Sequence, residues 1–368
     1  MTAPSDGMPS VKVPANLPEL VKAAFNRARS SGDVHFFPTQ VTLVNVNSIP
    51  FQLRFSPALA NKPRNPQPPA PAPDAEPSAS GGQEQQPQKK PFFDPFDNPP
   101  KAMLITPLDP AHNLVLNKFA IVPEHFILAT RAFKEQTDLL ERDDLEVAYA
   151  CIEAYHNSSE GNDSGSELYV FFNSGPASGS SQPHRHVQLV PVRRMREGLD
   201  GGDGGSPWNV LAGQLLDPAV RRRVPFTTFA EPIGPGTDLL ATYLRLYRRA
   251  CAAVLGPSAA ASASASSSGS EGRPGGGEQA LVEYNLAMTR DVMAIAPRVA
   301  EGTAVTAAAE EAGGRREVGR IALNGTVLAG TALVKTQEEW DALRAEPEQL
   351  VEILGRIGVP SVPAPSPL

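Results

Sequence analysis

The sequence has little of several features that mark common protein classes. Two cysteines, Cys151 and Cys251, occur in 368 residues, and no Cys-x-x-Cys pair is present. Neither a disulfide framework nor a cysteine-rich zinc site is therefore expected, and both thiols are predicted to be buried as small apolar side chains. No run reaches the ~20 apolar residues of a membrane span, and the N-terminus lacks the order of a secretory signal. These absences predict a cytoplasmic location, with the nucleus as a second compartment.

The chain also lacks an excess of positive charge. Its 33 Lys and Arg stand against 40 Asp and Glu, for a net charge of -7. This balance disfavours a general nucleic-acid coat, but it leaves room for a small anionic ligand in a local basic pocket. In contrast, proline and glycine are abundant, with 38 and 30 residues, and many stand in runs that cannot pack. We therefore expect about three quarters of the chain to be folded.

Apolar periodicity predicts an α+β fold, a mostly antiparallel sheet flanked by helices with long disordered insertions. Helical spacing is found over 16–33, where Asn16 is the expected N-cap, and over 137–157, 238–256 and 337–358. Strand patterns are found over 39–57 (two strands, split at 48–50), 114–122, 126–130, 167–172, 184–192, 284–289, 292–298 and 321–334. The stretch between 298 and 321 reads as a loose Ala/Glu/Gly segment.

Composition divides the chain into five segments. An N-terminal helix and strands (1–62) belong to a folded core, which continues over 91–256 after a disordered Pro-rich insertion (63–90). An Ala/Ser/Gly-rich linker (257–280) then precedes a C-terminal unit (281–368) that is expected to pack on the core.

The motif that contains candidate catalytic residues is "NSGPASGSSQPHRHVQLVP", residues 173–191. Side chains alternate across a strand, so His184, His186 and Gln188 are predicted to share one face, each roughly 6.6 Å along from the last. The loop before them supplies small and hydroxylated residues whose hydroxyls and open backbone amides suit phosphate oxygens, namely Asn173, Ser174, Gly175, Ser178, Gly179, Ser180 and Ser181. A neutral imidazole in the right tautomer can attack phosphorus without prior deprotonation.

Spacing alone leaves three interpretations open for this motif: phosphoryl chemistry, a metal site, or buried structural histidines. A cupin would need a glutamate four or five positions beyond the second histidine, where Val190 and Pro191 stand. A zinc hydrolase would need a third ligand, and none lies at a familiar spacing. The loop also lacks the lysine of a P-loop and the Gly-x-Ser-x-Gly of a serine hydrolase, and no Gly-x-Gly-x-x-Gly opens a helix.

A family resemblance decides between them. The 173–189 segment resembles the active-site segment of the fungal-type diadenosine tetraphosphate phosphorylases (ATP adenylyltransferases), in the histidine-triad superfamily that also includes galactose-1-phosphate uridylyltransferase. Segments on both sides resemble the same family: "LNKFAIVPEHFILATRAFKEQTDLLERDDLEVAY", "YNLAMTRDVMAIAPR" and "LNGTVLAGTALVK". The likeness covers about two thirds of the chain and skips the two low-complexity blocks.

The resemblance implies an enzyme that cleaves diadenosine tetraphosphate (Ap4A) with phosphate into ADP and ATP, in two displacements through an adenylyl-histidine, and that can run in reverse. His186 would be the nucleophile, His184 a second catalytic residue, and Gln188 a donor to the phosphoryl oxygens. The folded core (1–62 and 91–256) would be a histidine-triad-like catalytic core, and the C-terminal unit (281–368) would bind substrate. Nucleotide and phosphate contacts would come from Lys62, Asn117, Lys118, Asn173, Gly179, Ser180, Ser181, Gln182, Asn285, Met288, Thr289 and Arg290.

The family pattern is not followed everywhere. Pro183 stands where the family commonly has Asp, Arg290 where it has Lys, and Val292 where it has Trp. Arg keeps the charge of Lys but not its geometry. The expected partners are small molecules (diadenosine polyphosphates, phosphate, ATP and ADP), with no nucleic acid, no membrane and a monomeric state. A divalent cation, Mg²⁺, is expected on the substrate phosphates and on no protein ligand. The alternative function is a nucleotide-binding sensor of the same fold that has lost turnover.

Overall fold

A computed structural model of the chain describes residues 12–61, 93–158, 167–199, 207–257, 276–309 and 314–361. The main element is an eight-stranded antiparallel sheet in the order β3-β4-β5-β7-β6-β9-β10-β8. Its strands are β3 (Leu104–Leu108), β4 (His112–Leu116), β5 (Phe126–Thr130), β6 (Leu168–Asn173), β7 (His186–Pro191), β8 (Phe229–Pro232), β9 (Tyr284–Met288) and β10 (Val292–Pro297).

Two smaller sheets accompany it. The first contains β1 (Gln40–Val46), β2 (Ile49–Phe55) and β13 (Thr331–Val334), with β13 parallel to β2. The second is the hairpin of β11 (Gly302–Ala308) and β12 (Arg315–Ala322). The predicted α+β class with a mostly antiparallel sheet is therefore confirmed.

Seven α-helices lie among the described residues: α1 (Leu17–Ser31), α2 (Arg142–His156), α3 (Val192–Arg196), α4 (Pro218–Arg221), α5 (Leu239–Leu255), α6 (Gln337–Ala345) and α7 (Glu348–Ile357). Helices α1, α2 and α5 bury their apolar stripes against one face of the large sheet. The small sheets, α6 and α7 form a second core on the other face. Both cysteines are fully buried on the helical side and unpaired, as predicted.

The predicted domain boundary at 257–280 cuts through one sheet. Strand β9 follows this linker in the C-terminal unit, yet it pairs with β6, which lies in the core segment 91–256. Residues 258–275, the whole 63–90 insertion and Lys62 lie outside the described part of the chain. Of the helices in that described part, none is long and apolar enough to cross a membrane.

Three sequence predictions need correction. The loose segment after residue 298 contains the β11–β12 hairpin, whose Ala and Gly content weakens the strand signal but whose strands pair along their length with one register shift at Val305/Thr306. The predicted helix over 337–358 is two helices, because Pro347 has no N–H to continue the first. The single strand predicted over 321–334 contains a 3-10 helix, Gly325–Ala329. Asn16 does occupy the N-cap position of α1, but its side chain makes no capping bond.

Candidate active site

The candidate site lies on the hairpin formed by β6 and β7. Strand β7 begins at His186, and Gln188 pairs with Phe171 across the hairpin. The residues that alternate with them, Val187 and Leu189, belong to the core beneath the helices. His186 and Gln188 therefore share the opposite face, as predicted, whereas His184 precedes the strand in an isolated bridge to Glu135.

The geometry of His186 defines its tautomer. Its Nδ1 lies 2.8 Å from the backbone oxygen of His184. Because a carbonyl oxygen can only accept, Nδ1 carries the proton, and in a neutral ring Nε2 keeps its lone pair. Burial lowers the pKa of His186 from 6.5 to about 4, so the ring is neutral at pH 7. The side chain can therefore act as a nucleophile through Nε2.

Residues distant in sequence surround His184. Its Nδ1 lies 2.7 Å from Oδ2 of Asp94, and its Nε2 lies 3.0 Å from Oγ1 of Thr130. The ring is fully buried. Both ring nitrogens thus have partners, and the side chain is fixed in orientation while its carbonyl holds His186.

Aromatic rings enclose the two histidines. The Phe96 ring lies 5.0 Å from the His186 ring and 5.7 Å, edge-on, from the His184 ring. Phe133 packs on His184 from another side at 5.2 Å. Phe96 and Asp94 belong to one short segment, residues 93–97, which we call the strap. The strap covers the histidines and leaves His186 3% exposed.

The buried side chain of Gln136 fixes the backbone of the hairpin. Its Oε1 accepts from the His186 amide at 2.8 Å, and its Nε2 donates to the Asn173 oxygen at 2.7 Å and the His186 oxygen at 3.2 Å. One amide therefore ties together the start of β7 and the end of β6, where the regular pairing has ended.

The Gly/Ser loop makes more internal hydrogen bonds than the sequence predicts. The amides of Gly175, Ser178, Gly179 and Ser180 donate to acceptors within the loop. These amides are not open to phosphate, contrary to the prediction, because the loop closes a 3-10 turn over Pro176–Ser178. Ser181, in contrast, is exposed.

Gly179 has a packing reason to be glycine. Its φ is +85°, and a Cβ there would come within 2.7 Å of Cβ of Asn324 and 2.8 Å of the Leu323 oxygen. The glycine therefore lets the loop lie directly against the chain that enters the 3-10 helix Gly325–Ala329.

A buried amide network anchors the same loop. Oδ1 of Asn173 accepts from Nδ2 of Asn285 at 2.9 Å and from the Gly325 amide at 2.8 Å. Asn285 also donates to the Ser178 oxygen, and its own oxygen accepts from Arg298. Arg298, 4% exposed, donates further to four backbone oxygens, those of Ala300, Glu301, Leu323 and Ile357. Asn173 and Asn285 thus meet at the site, where their side chains hold the loop in place.

Arg185, between the two histidines, points to the helical side of the sheet. It is 1% exposed and pairs with Glu141 at 2.9 Å and Asp144 at 3.0 Å, both at the start of α2. Asp144 also bonds Nε2 of His112 at 2.8 Å. These partners hold the pKa of Asp144 below its usual value despite burial. The positive charge of Arg185 therefore lies in an ion-pair cluster on the helical side of the sheet, and Arg185 adds no charge to the face that carries His186.

Comparison with known families assigns the chain. The family model "Ap4A phosphorylase N-terminal domain" matches residues 9–200, and "ATP adenylyltransferase C-terminal domain" matches residues 222–360. This chain belongs to the Ap4A phosphorylase family.

Relatives within the Ap4A phosphorylase family match along nearly the whole chain. Protein APA1 of Saccharomyces cerevisiae is 26% identical, over 97% of this chain and 98% of its own length. Diadenosine 5',5'''-P1,P4-tetraphosphate phosphorylase 2 of the same yeast is 25% identical over 74% of this chain and 78% of its own. The crystal structure of yeast Ap4A phosphorylase Apa2 in complex with Ap4A superimposes with a TM-score of 0.65 at 21% identity, covering 95% of this chain and all of that one. Its complex with AMP gives a TM-score of 0.62 at 22% identity, covering 95% of this chain and 99% of that one. The latter two likenesses show a shared fold.

Three residues attributed to the site by family resemblance do not lie beside His186. Met288 is buried in the core under the helices, on the opposite face from Asn285. Arg290 bonds Glu153 of α2 at 2.9 Å, and its backbone oxygen accepts from Tyr149. Glu153 and Tyr149 line a cavity of about 680 Å³ on that helical side, away from the histidines. Thr289 bonds Val292 within the β9–β10 turn.

Asn117 and Lys118 lie where β4 turns toward β5. Nδ2 of Asn117 lies 3.2 Å from Nδ1 of His125, whose ring packs near Phe171 on the His186 face. Lys118 is exposed beside Phe119. Since Phe171 pairs with Gln188, this corner lies along the same face as the histidines, toward the far end of β7. Gln188 is partly exposed and, among the described residues, its side chain has no hydrogen-bond partner.

Sequence reasoning missed four residues that contact the histidines or their backbone: Asp94, Phe96, Thr130 and Gln136. All four lie 48 to 90 positions before His184, and no local pattern marks them. Within the described segments, no group of three or more His, Cys, Asp or Glu side chains is arranged to hold a metal ion.

Proposed function

We propose that the chain catalyses phosphorolysis of Ap4A to ADP and ATP through an adenylyl-histidine at His186, as a histidine-triad-type nucleotidyltransferase. The observation that carries the proposal is the His186 Nδ1–H donated to the His184 carbonyl, which leaves Nε2 as a buried nucleophile. The names of the relatives that match along the chain support Ap4A as the substrate.

The first displacement begins with attack by Nε2 on the α-phosphorus of one adenosine. The new P–N bond forms as the P–O bond to the next phosphate breaks, and ATP leaves with that oxygen. No proton must be removed beforehand, and the positive charge that develops on the ring is stabilised by the His184 carbonyl that accepts from Nδ1–H. In the second displacement an oxygen of inorganic phosphate attacks the same phosphorus, the P–N bond breaks, and ADP is released. Reversal of the two steps makes Ap4A from ADP and ATP.

Other residues would bind the phosphates. The Gln188 amide, two positions along the same face, suits the equatorial phosphoryl oxygens, and Ser181 and Lys118 offer exposed donors. The substrate phosphates carry four negative charges, which these few donors cannot neutralise. We therefore propose that a divalent cation, Mg²⁺, is held by the substrate phosphates and neutralises part of that charge. Asp94, whose carboxylate bonds His184, is engaged in that contact. We further propose that the protein acts as a cytoplasmic monomer without nucleic-acid partners.

The reaction is tested by its products. Incubation with Ap4A, Mg²⁺ and ³²P-labelled inorganic phosphate is expected to give ADP and ATP in equal amounts, with all of the label in ADP. A mixture of ATP and AMP would instead indicate hydrolysis. Saturable Ap4A binding without product would favour the nucleotide sensor over the enzyme.

The low pKa of His186 predicts an unusual pH profile. Its folded-state pKa of about 4 means that the ring loses its nucleophilic lone pair only when the pH falls toward 4. We therefore expect the single-turnover rate of protein adenylylation by Ap4A, measured without phosphate, to stay level as the pH drops through 6.5. Ap4A has no terminal phosphate that titrates near pH 6, so the substrate does not obscure the profile. An acid limb centred near 6.5, in protein that circular dichroism shows to be folded, would contradict the buried neutral ring.

A further inference from the structure

The strap gives His184 a carboxylate partner. Oδ2 of Asp94 lies 2.7 Å from Nδ1 of His184, and the two side chains are 16% and 0% exposed. Among the ion pairs of the described residues, this is the one in which His184 takes part. Pro183, directly before the histidine, carries no acid.

Asp94 is joined to the nucleophile by a short series of contacts. The carboxylate can only accept, so it fixes the proton of His184 on Nδ1 and leaves Nε2 to Thr130 Oγ1 at 3.0 Å. Held at both nitrogens, the His184 ring cannot rotate. The backbone oxygen of the same residue accepts from Nδ1 of His186 at 2.8 Å. The orientation of His184 thus bears directly on the hydrogen bond that sets the tautomer of His186.

The strap itself is docked on the histidines by a second residue. Phe96 packs with Val115, Ile127 and Ala129 on the His186 face of the sheet, and Asn98 follows with a φ of 53°. The Phe96 amide donates to Oδ1 of Asp94 at 2.9 Å. Oδ1 of Asp94 therefore accepts a hydrogen bond from within the strap, while Oδ2 accepts from His184. The internal bond fixes the orientation of the carboxylate before it meets the histidine.

We propose that Asp94 is the positioning residue of this active site: it holds His184, and through the His184 carbonyl it keeps His186 Nδ1–H aligned and Nε2 directed at phosphorus. The proposal rests on the proposed function of His186 as the nucleophile. Asp94, 90 positions before His184, thus supplies the carboxylate that the motif itself lacks.

The test compares Asp94→Asn with a matched control in the same strap, Asp97→Asn, which removes an exposed carboxylate with no contact to either histidine. An asparagine can present Nδ2–H to His184 and allow the other tautomer. We expect Asp94→Asn to lower kcat for Ap4A phosphorolysis by about 10-fold to 100-fold with KM changed by less than about twofold. Asp97→Asn should match the wild type. Asp94→Glu, which restores a carboxylate, should recover part of the loss.

A second readout does not depend on turnover. The His184 Nδ1–H donated to a carboxylate should give a downfield proton resonance in the NMR spectrum that disappears in Asp94→Asn and persists in Asp97→Asn. An unchanged resonance, or a KM effect with unchanged kcat, would overturn the positioning role. If the wild type forms no ADP and ATP but shows the Asp94-dependent resonance, the proposed function fails while the contact stands. Thermal melting of each variant checks that the fold is intact.

Discussion

Replacement of His186 by alanine is expected to abolish adenylylation of the protein and to reduce Ap4A phosphorolysis by at least about 1,000-fold. The reason is that, among the described residues, no second nucleophile is held in the same place: the other imidazole of the motif, His184, has both nitrogens bonded, to Asp94 and Thr130. The measurement is the transfer of radiolabel from Ap4A labelled in its α-phosphates to the purified protein, followed by denaturation and counting. Label that remains on His186→Ala would place the nucleophile elsewhere.

The matched variant is His184→Ala. It removes a ring that contacts Phe96 and Phe133 but leaves the backbone oxygen that accepts from His186. Labelling should therefore be weakened and not abolished. Equal loss in both variants would mean that the His184 ring, and not its carbonyl, carries the orienting role.

Replacement of Arg298 by methionine is expected to produce the largest loss of stability among these variants, about 3 kcal/mol in the free energy of unfolding. The guanidinium is buried and donates hydrogen bonds to the Asn285 oxygen and to four backbone oxygens. All five oxygens would lose a donor in the variant. Burial lowers its pKa to about 10, so it remains charged at pH 7. The measurement is the midpoint of urea unfolding followed by circular dichroism.

Arg316→Met is the control for this change, since Arg316 lies exposed on β12. It should unfold at the wild-type urea concentration. Arg298→Met should also weaken Ap4A binding at urea concentrations where it is still folded, because Asn285 and Asn173 hold the Gly/Ser loop through the same network. A wild-type unfolding midpoint for Arg298→Met would show that water or neighbouring donors replace the guanidinium.

The part of the site that could be predicted from sequence follows from strand periodicity. A period of two places His186 and Gln188 on one face, and the small residues before them indicate a tight loop. The same rule explains why two residues assigned to the site by family resemblance lie on opposite faces of the sheet. Asn285 and Met288 are three residues apart on β9, so they must face opposite sides of the sheet, and only Asn285 reaches the site.

The rest of the site depends on long-range contacts that leave no local pattern. Asp94 reaches His184 from a strap next to a low-complexity stretch, and Gln136 reaches His186 across 50 positions. The β11–β12 hairpin was hidden for a related reason. Its Ala, Gly and charged residues dilute the strand preference of its Thr, Val and Ile, and the two strands gain support from each other and from packing against α6 and α7.

The aromatic cover over His186 affects how tightly the enzyme can hold its dinucleotide. On the proposed mechanism, with Phe96 5.0 Å from the imidazole and His186 3% exposed, we expect the Phe96 ring to move aside before phosphorus reaches Nε2. Part of the free energy of substrate binding would offset that displacement and would lower the affinity relative to that of an open site. The same ring would keep bulk solvent from the proposed nucleophile, and we expect this exclusion to favour phosphate over water as the acceptor in the proposed second displacement. Loss of affinity and choice of acceptor are thus two effects of one side chain.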